Sequence, residues 1–204
     1  MMQYPESLCQ LVIRNMAIVE DAPSVVAEIE KELFGTINEE IEKTVSGLNG
    51  WKGFYDLITE KEDELTFFAP SDWPKDDSGE YLACYALDCV EPDGSEFEWL
   101  SVATGLRNAT LCFQFEIDNS LVEVSTREKK RLLQEFFLKN PALEKAGFMY
   151  HKTGVIYLPF IFDAETLANE FPDFDEAKAT VGRTLKTLFE VHSLFDAFVK
   201  QHQK

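Results

Sequence analysis

Leu111, Phe113, Phe115 and Ile117 alternate strictly with Thr110, Cys112, Gln114 and Glu116. An apolar residue at every second position can line one face of a β-strand and cannot form the stripe of a helix. Upstream, residues 80–90 are apolar on both faces, with Tyr81, Ala83, Tyr85, Leu87 and Cys89 on one and Leu82, Cys84, Ala86 and Val90 on the other. That run suits a strand covered on both sides. Leu65-Thr66-Phe67-Phe68-Ala69 reads as a further strand. Pro92-Asp93-Gly94 marks a turn after which Phe97 to Ala103 is expected to return. Residues 148–151 and 155–162 read as a hairpin around Lys152-Thr153-Gly154.

Elsewhere the period is helical. Leu8, Leu11, Val12 and Met16 suit a short amphipathic helix that stops near Asp21-Ala22-Pro23. Val25, Val26, Ile29, Leu33 and Phe34 continue at helical spacing to Gly35, expected as a C-terminal cap, and Ile37, Ile41 and Val45 mark a third segment. Further helices are predicted over 126–139 and 165–171, and a long one carries Val181, Leu185, Leu188, Phe195 and Phe198. Ser125-x-x-Glu128 has the form of a capping box, and Asp173-x-x-Glu176 that of an acid-capped helix start. The fold class is therefore α+β. Five to six antiparallel strands (a four-strand meander plus a hairpin) carry helices on one face, with a helical segment at the N-terminus. An acidic helical segment, 1–50, precedes an α+β domain, 51–204, and the two are expected to form one compact unit.

The 204 residues include 37 acids and 19 Lys+Arg, a formal charge of −18. Residues 1–100 hold 23 acids and 6 bases; residues 101–204 hold 14 and 13. Nearly all the excess thus lies in the first half. Such a surface repels nucleic acid and anionic membrane and attracts cationic partners; the plainer reading is a solvated face.

Candidate chemistry is sparse. There is no GxSxG, no GxxxxGK[ST], no GxGxxG and no CxxC, and His151, His192 and His202 are scattered. Cys84 and Cys89 on one strand would stand about 16 Å apart, beyond disulfide reach. Free thiols fit a reducing compartment, and the opening MMQYPESLCQ lacks the basic and apolar regions of a secretory signal. A cytoplasmic location is expected. No metal site and no cofactor are assigned. Asp88, Glu91, Asp93, Glu96 and Glu98 cluster without EF-hand spacing.

Two groups stand out as contact residues. Trp73, ringed by Asp72, Asp76 and Asp77 in a turn-rich loop, is a candidate aromatic anchor for a basic protein; its indole is either exposed there or folded back over the sheet edge. Arg127, Lys129, Lys130 and Arg131 crowd a helix start and call for an acidic counterpart: the chain's own acidic half, another subunit or a phosphate.

The expectation is a non-catalytic, acidic interaction module of chaperone, immunity or inhibitor type that binds a basic protein surface. Self-association into a homo-oligomer is a further option, and direct contact with membrane or nucleic acid is disfavoured. The alternatives are a metal-dependent hydrolase using carboxylates such as Asp88, Glu116 or Asp118, and a DNA mimic that blocks a DNA-binding enzyme.

Overall fold

The computed structural model describes residues 4–58, 65–90, 98–106 and 109–203. The elements run α1 (Glu6–Arg14), α2 (Met16–Ser46), β1 (Trp51–Tyr55), β2 (Thr66–Pro70), β3 (Ala83–Val90), α3 (Trp99–Ala103) and β4 (Thr110–Ile117). There follow α4 (Asn119–Val122), α5 (Thr126–Lys139), α6 (Pro141–Lys145), β5 (Met149–His151), β6 (Val155–Pro159), α7 (Ala164–Glu170) and α8 (Asp175–His202). The strands form one antiparallel six-stranded sheet in the order β1-β2-β3-β4-β6-β5, and the molecule is α+β.

The alternation in β4 sets which way the sheet faces. Leu111, Phe113 and Phe115 enter the main core beside Phe68 of β2 and Tyr85 of β3. In that core lie Leu33, Phe34, Ile37, Ile41 and Val45 of α2, and Val181, Leu185, Leu188 and Phe195 of α8. The second half of the acidic helical segment is therefore built into the core of the sheet. Rings do much of the filling: Phe115 and Phe195 lie 4.7 Å apart, and Phe68 meets Phe113 edge-on at 5.7 Å. On the opposite face Cys112, Val90 and Tyr157 make a small separate cluster. There Gln114 is buried, and its Nε2 donates to the Cys89 carbonyl at 3.0 Å.

Several expectations change. Neither Pro23 nor Gly35 ends a helix, because α2 runs unbroken through both. Proline removes one helical N–H, but the residues after it bury a continuous face against the sheet and α8, and that burial outweighs the local cost. The described part of the expected strand 97–103 is helical. The buried Glu30 carboxylate accepts the Leu100 N–H at 2.6 Å, and Trp99 sits edge-on against Phe34 at 5.6 Å, so that segment is held on α2 and not in the sheet. The missing strand is supplied by β1, an edge strand whose exposed Lys52-Gly53-Phe54 centre carries no alternation.

Helix starts follow local chemistry. Ser125 and Glu128 form the reciprocal capping box at α5. The start of α8 differs from expectation: Phe174 is its first flanking residue, and Glu170, not Asp173, takes the Glu176 N–H at 2.8 Å.

Candidate functional site

Trp73 follows Pro70 at the end of β2, and its indole turns inward to leave 2 % of its surface exposed. Of the two placements open to it, the indole takes the folded-back one, because burying so large an apolar ring outweighs leaving it in an acidic loop, and Trp73 is thereby closed to a partner as an anchor. The ring packs 5.5 Å from Tyr85 and 5.6 Å from His192, and Nε1 donates to Asp196 Oδ1 at 3.1 Å. The three acids around it stay outside. Asp76 accepts the N–H groups of Ser78 and Glu80, both at 2.9 Å, and the Ser78 hydroxyl, which hold its carboxyl below the usual range. Asp72 lies 3.6 Å from Lys200 Nζ, and Asp77 is exposed.

Behind that loop lies a polar and aromatic constellation that sequence spacing does not reveal. Its members, Trp51, Trp73, Tyr85, His192, Asp196 and Lys200, come from β1, the loop, β3 and α8. The Tyr85 hydroxyl and His192 Nδ1 are hydrogen-bonded at 2.9 Å, and Trp51 meets the imidazole at 4.7 Å. Asp196 Oδ2 accepts from Lys200 at 2.8 Å. Burial pushes the His192 imidazolium down and the Tyr85 phenol well up, so both favour their neutral forms. The group joins the loop to α8 through two separate sets of hydrogen bonds, Trp73–Asp196–Lys200 and Tyr85–His192.

The four bases at the α5 start are split by the helix. Arg127, Lys130 and Arg131 line a cleft with Lys152 of the β5–β6 turn. Lys129 points away, donating to the Ile117 carbonyl at 2.9 Å. Arg131 pairs with Glu135 at 2.7 Å, and Tyr150 donates its hydroxyl proton to the Lys130 carbonyl at 3.0 Å.

Of the carboxylates considered for hydrolysis, Asp88 and Glu116 line one cleft with Cys84 and Trp99, and Asp118 is not among its lining residues. Asp118 caps α4 by accepting the Ser120 N–H at 2.7 Å and the Ser120 hydroxyl, which lowers its pKa. Glu128 is committed to its capping box. Glu116 is exposed as a residue, yet desolvation around its carboxyl raises its pKa, with Asp88 adding to the effect and Lys129 opposing it. Glu91, Asp93 and Glu96 lie outside the described residues. Among the described residues no three His, Cys, Asp or Glu side chains are grouped to hold a metal ion. All four cysteines are free thiols, and burial pushes Cys84 up to about 12 and Cys112 up as well, away from thiolate chemistry.

The remaining surface of note is α1 with the first half of α2. No residue from Glu6 to Ile29 is fully buried, although the stretch is rich in Leu, Ile, Val and Met. Among the described residues no helix is long and apolar enough to cross a membrane. Comparison with protein-family models, with curated proteins and with solved structures finds no match.

Proposed function

We propose that the chain is a non-catalytic interaction module whose acidic N-terminal half binds a basic surface on another protein, within a reducing cytoplasm. One observation carries this reading: among the described residues, most ion pairs lie in the second half and many acids of α2 stay exposed. Arg131 and Lys139 pair with Glu135, Lys178 with Asp175, Arg183 with Glu176 and Lys200 with Asp196, all within residues 101–204. Asp72 beside Lys200 links the two halves at 3.6 Å. On α2, Lys43 pairs with Glu40, while Glu20, Asp21, Glu28, Glu32, Glu39 and Glu42 are exposed. A field of this kind steers a cationic partner and sets its orientation more than its affinity. Free thiols held neutral by burial are in keeping with the compartment.

The test compares two baits in cell extract at about 0.15 M salt: the native chain, and a variant with Glu20, Glu28, Glu32 and Glu39 changed to glutamine. The expected result is a basic protein retained by the first and released from it as salt is raised, but not retained by the second. Equal retention by both baits overturns the proposal.

A further inference from the structure

Of the counterparts left open for the bases at the start of α5, the fold removes the chain's own acidic half. Among the described residues no acid of 1–100 pairs with Arg127, Lys130, Arg131 or Lys152. Arg131 has its ion pair with Glu135, one turn further along the helix. Glu128, the acid in their midst, turns back on the cap, where Oε2 accepts the Ser125 N–H at 3.2 Å and the Ser125 hydroxyl at 2.8 Å. Arg127, Lys130 and Lys152 thus stand together without an ion pair, in a chain with 37 acids against 19 lysines and arginines.

The fold, and not adjacency alone, brings these cations together. Arg127, Lys130, Arg131 and Gln134 follow at steps of three and four, so they share one face of α5 over two turns. Lys152 comes from the β5–β6 turn, which is seated on the helix at two points. The Tyr150 hydroxyl donates to the Lys130 carbonyl at 3.0 Å. Gly154 is buried so close to Lys130 that an added Cβ would lie 3.3 Å from the lysine Cα. Packing therefore fixes where Lys152 leaves the backbone relative to the helix cations.

The cleft they line measures about 640 Å³, in the size range of small-ligand sites, and Ser125, Gln134 and Tyr150 complete its wall. No aliphatic residue lines it, so a ligand there is held by charge and hydrogen bonds. The site is this side-chain cleft and not the helix end, which the capping box closes. Arg127, Lys130, Arg131 and Lys152, set against Glu128 and Glu135, leave a positive excess. A long polyanion would meet the field of a chain at −18. A compact one lies within the Debye length, about 8 Å at physiological salt, and feels mainly the cleft. Each phosphoryl group carries roughly −1.5 to −2 charges and three acceptor oxygens. Two such groups match the excess and the donors of the guanidinium and ammonium groups, where carboxylates would supply less charge in the same space.

We propose that this cleft binds a small molecule carrying two or more phosphoryl groups. The proposal is independent of the acidic face on α2.

The test is isothermal titration calorimetry of the full chain at about 0.15 M salt, with inorganic tripolyphosphate as the probe and citrate and sulfate as comparison anions. Arg127→Gln/Lys152→Gln removes two cations from exposed positions of the cleft. Lys145→Gln/Lys186→Gln removes the same charge from exposed positions elsewhere. Tripolyphosphate is expected to bind the native chain and the second variant alike, and the first at least about tenfold more weakly. The melting temperature of the first variant without ligand, expected to match the native chain, is the folding control. Absence of binding to the native chain overturns the proposal. Equal weakening by both variants does so too, by assigning the effect to net charge. Citrate or sulfate bound as tightly as tripolyphosphate makes the cleft a place for an adventitious ion only and overturns it likewise. Duplex DNA that displaces tripolyphosphate at equal phosphate concentration overturns the small-molecule occupant. A native dimer in sedimentation that Arg127→Gln/Lys152→Gln dissociates makes a second copy the occupant and has the same effect. None of these outcomes bears on the glutamine baits described above, so the two readings fail separately.

Discussion

The Trp73 indole N–H donates to Asp196 Oδ1 at 3.1 Å, tying a loop after β2 to a helix more than a hundred residues later. The same carboxylate accepts from Lys200, which also approaches Asp72 beside the tryptophan. A residue that in sequence could be either an exposed anchor or a folded-back ring is thus the pin that fixes the loop to α8. The acids around it are held in place by that pin, while the ring itself is closed to a partner.

Replacing Trp73 should therefore act on stability. Trp73→Ala is expected to cost about 3–5 kcal/mol, the range for deleting a large buried aromatic. Trp73→Phe keeps most of the burial but leaves Asp196 one donor short, at a cost of about 1–2 kcal/mol. Urea unfolding followed by circular dichroism measures both. A Trp73→Phe variant as damaged as Trp73→Ala would show that the hydrogen bond, and not the packing, holds the loop.

How far the sequence discloses this arrangement depends on the range of the forces involved. β4 is legible because its alternation reports burial on one face, and the Ser125–Glu128 cap because both partners lie within one turn. Pro23 and Gly35 mislead because their local signals are overridden by packing on distant elements. The 99–103 helix depends on Glu30, some seventy residues earlier, and the His192 group draws on four separate segments. No spacing rule encodes such contacts. The apolar residues of α1 and the first half of α2 were visible as helical periodicity, but that many of them would stay exposed could be learned only from the fold.

His192 gives the fold a definite pH dependence. Burial lowers its pKa below 6.5; Asp196 and Asp72 oppose the shift, and Lys200 adds to it. The unfolded chain therefore takes up a proton near pH 6.5 while the folded chain still resists. Stability from this group is complete above 6.5 and declines as pH falls from there towards the lower folded value. His192→Gln, which does not titrate, should lack that component. Urea midpoints between pH 5 and 8 are expected to drop faster in the native chain than in the variant; parallel profiles would remove His192 as the cause.

Glu30 titrates in the opposite sense. Burial raises its pKa above 4.5, Glu98 adds to this, and the N–H groups of Leu100 and Trp99 oppose it. Between 4.5 and the folded value the native chain holds a proton that the unfolded chain has released. Stability thus falls as pH rises through that window and stays lowered at neutrality. Glu30→Gln keeps an acceptor for the Leu100 N–H without a buried charge. It is expected to melt above the native chain at pH 7, with the gap closing towards pH 4.5. A variant that melts lower at pH 7 would mean that the charge on the α3 N-terminus is worth more than its burial costs.

The turn between β5 and β6 offers a test of how α5 is seated. Gly154 has φ +97°, and a Cβ there would collide with Cγ of Lys130 while lying 3.2 Å from its Cβ. Gly154→Ala should cost about 1–2 kcal/mol from the left-handed backbone alone, and more from displacing the lysine. Trimming the obstacle separates the two contributions. In a Lys130→Ala background Cγ is gone, so the alanine at 154 should cost less there than in the native chain, as a double-mutant cycle of urea unfolding would measure. Equal costs in the two backgrounds would assign the whole penalty to backbone conformation and show that Lys130 yields freely. A smaller cost in the trimmed background would show that the hairpin turn holds this lysine's stem against the helix, and so helps to place its charge at the cleft with Arg127, Arg131 and Lys152.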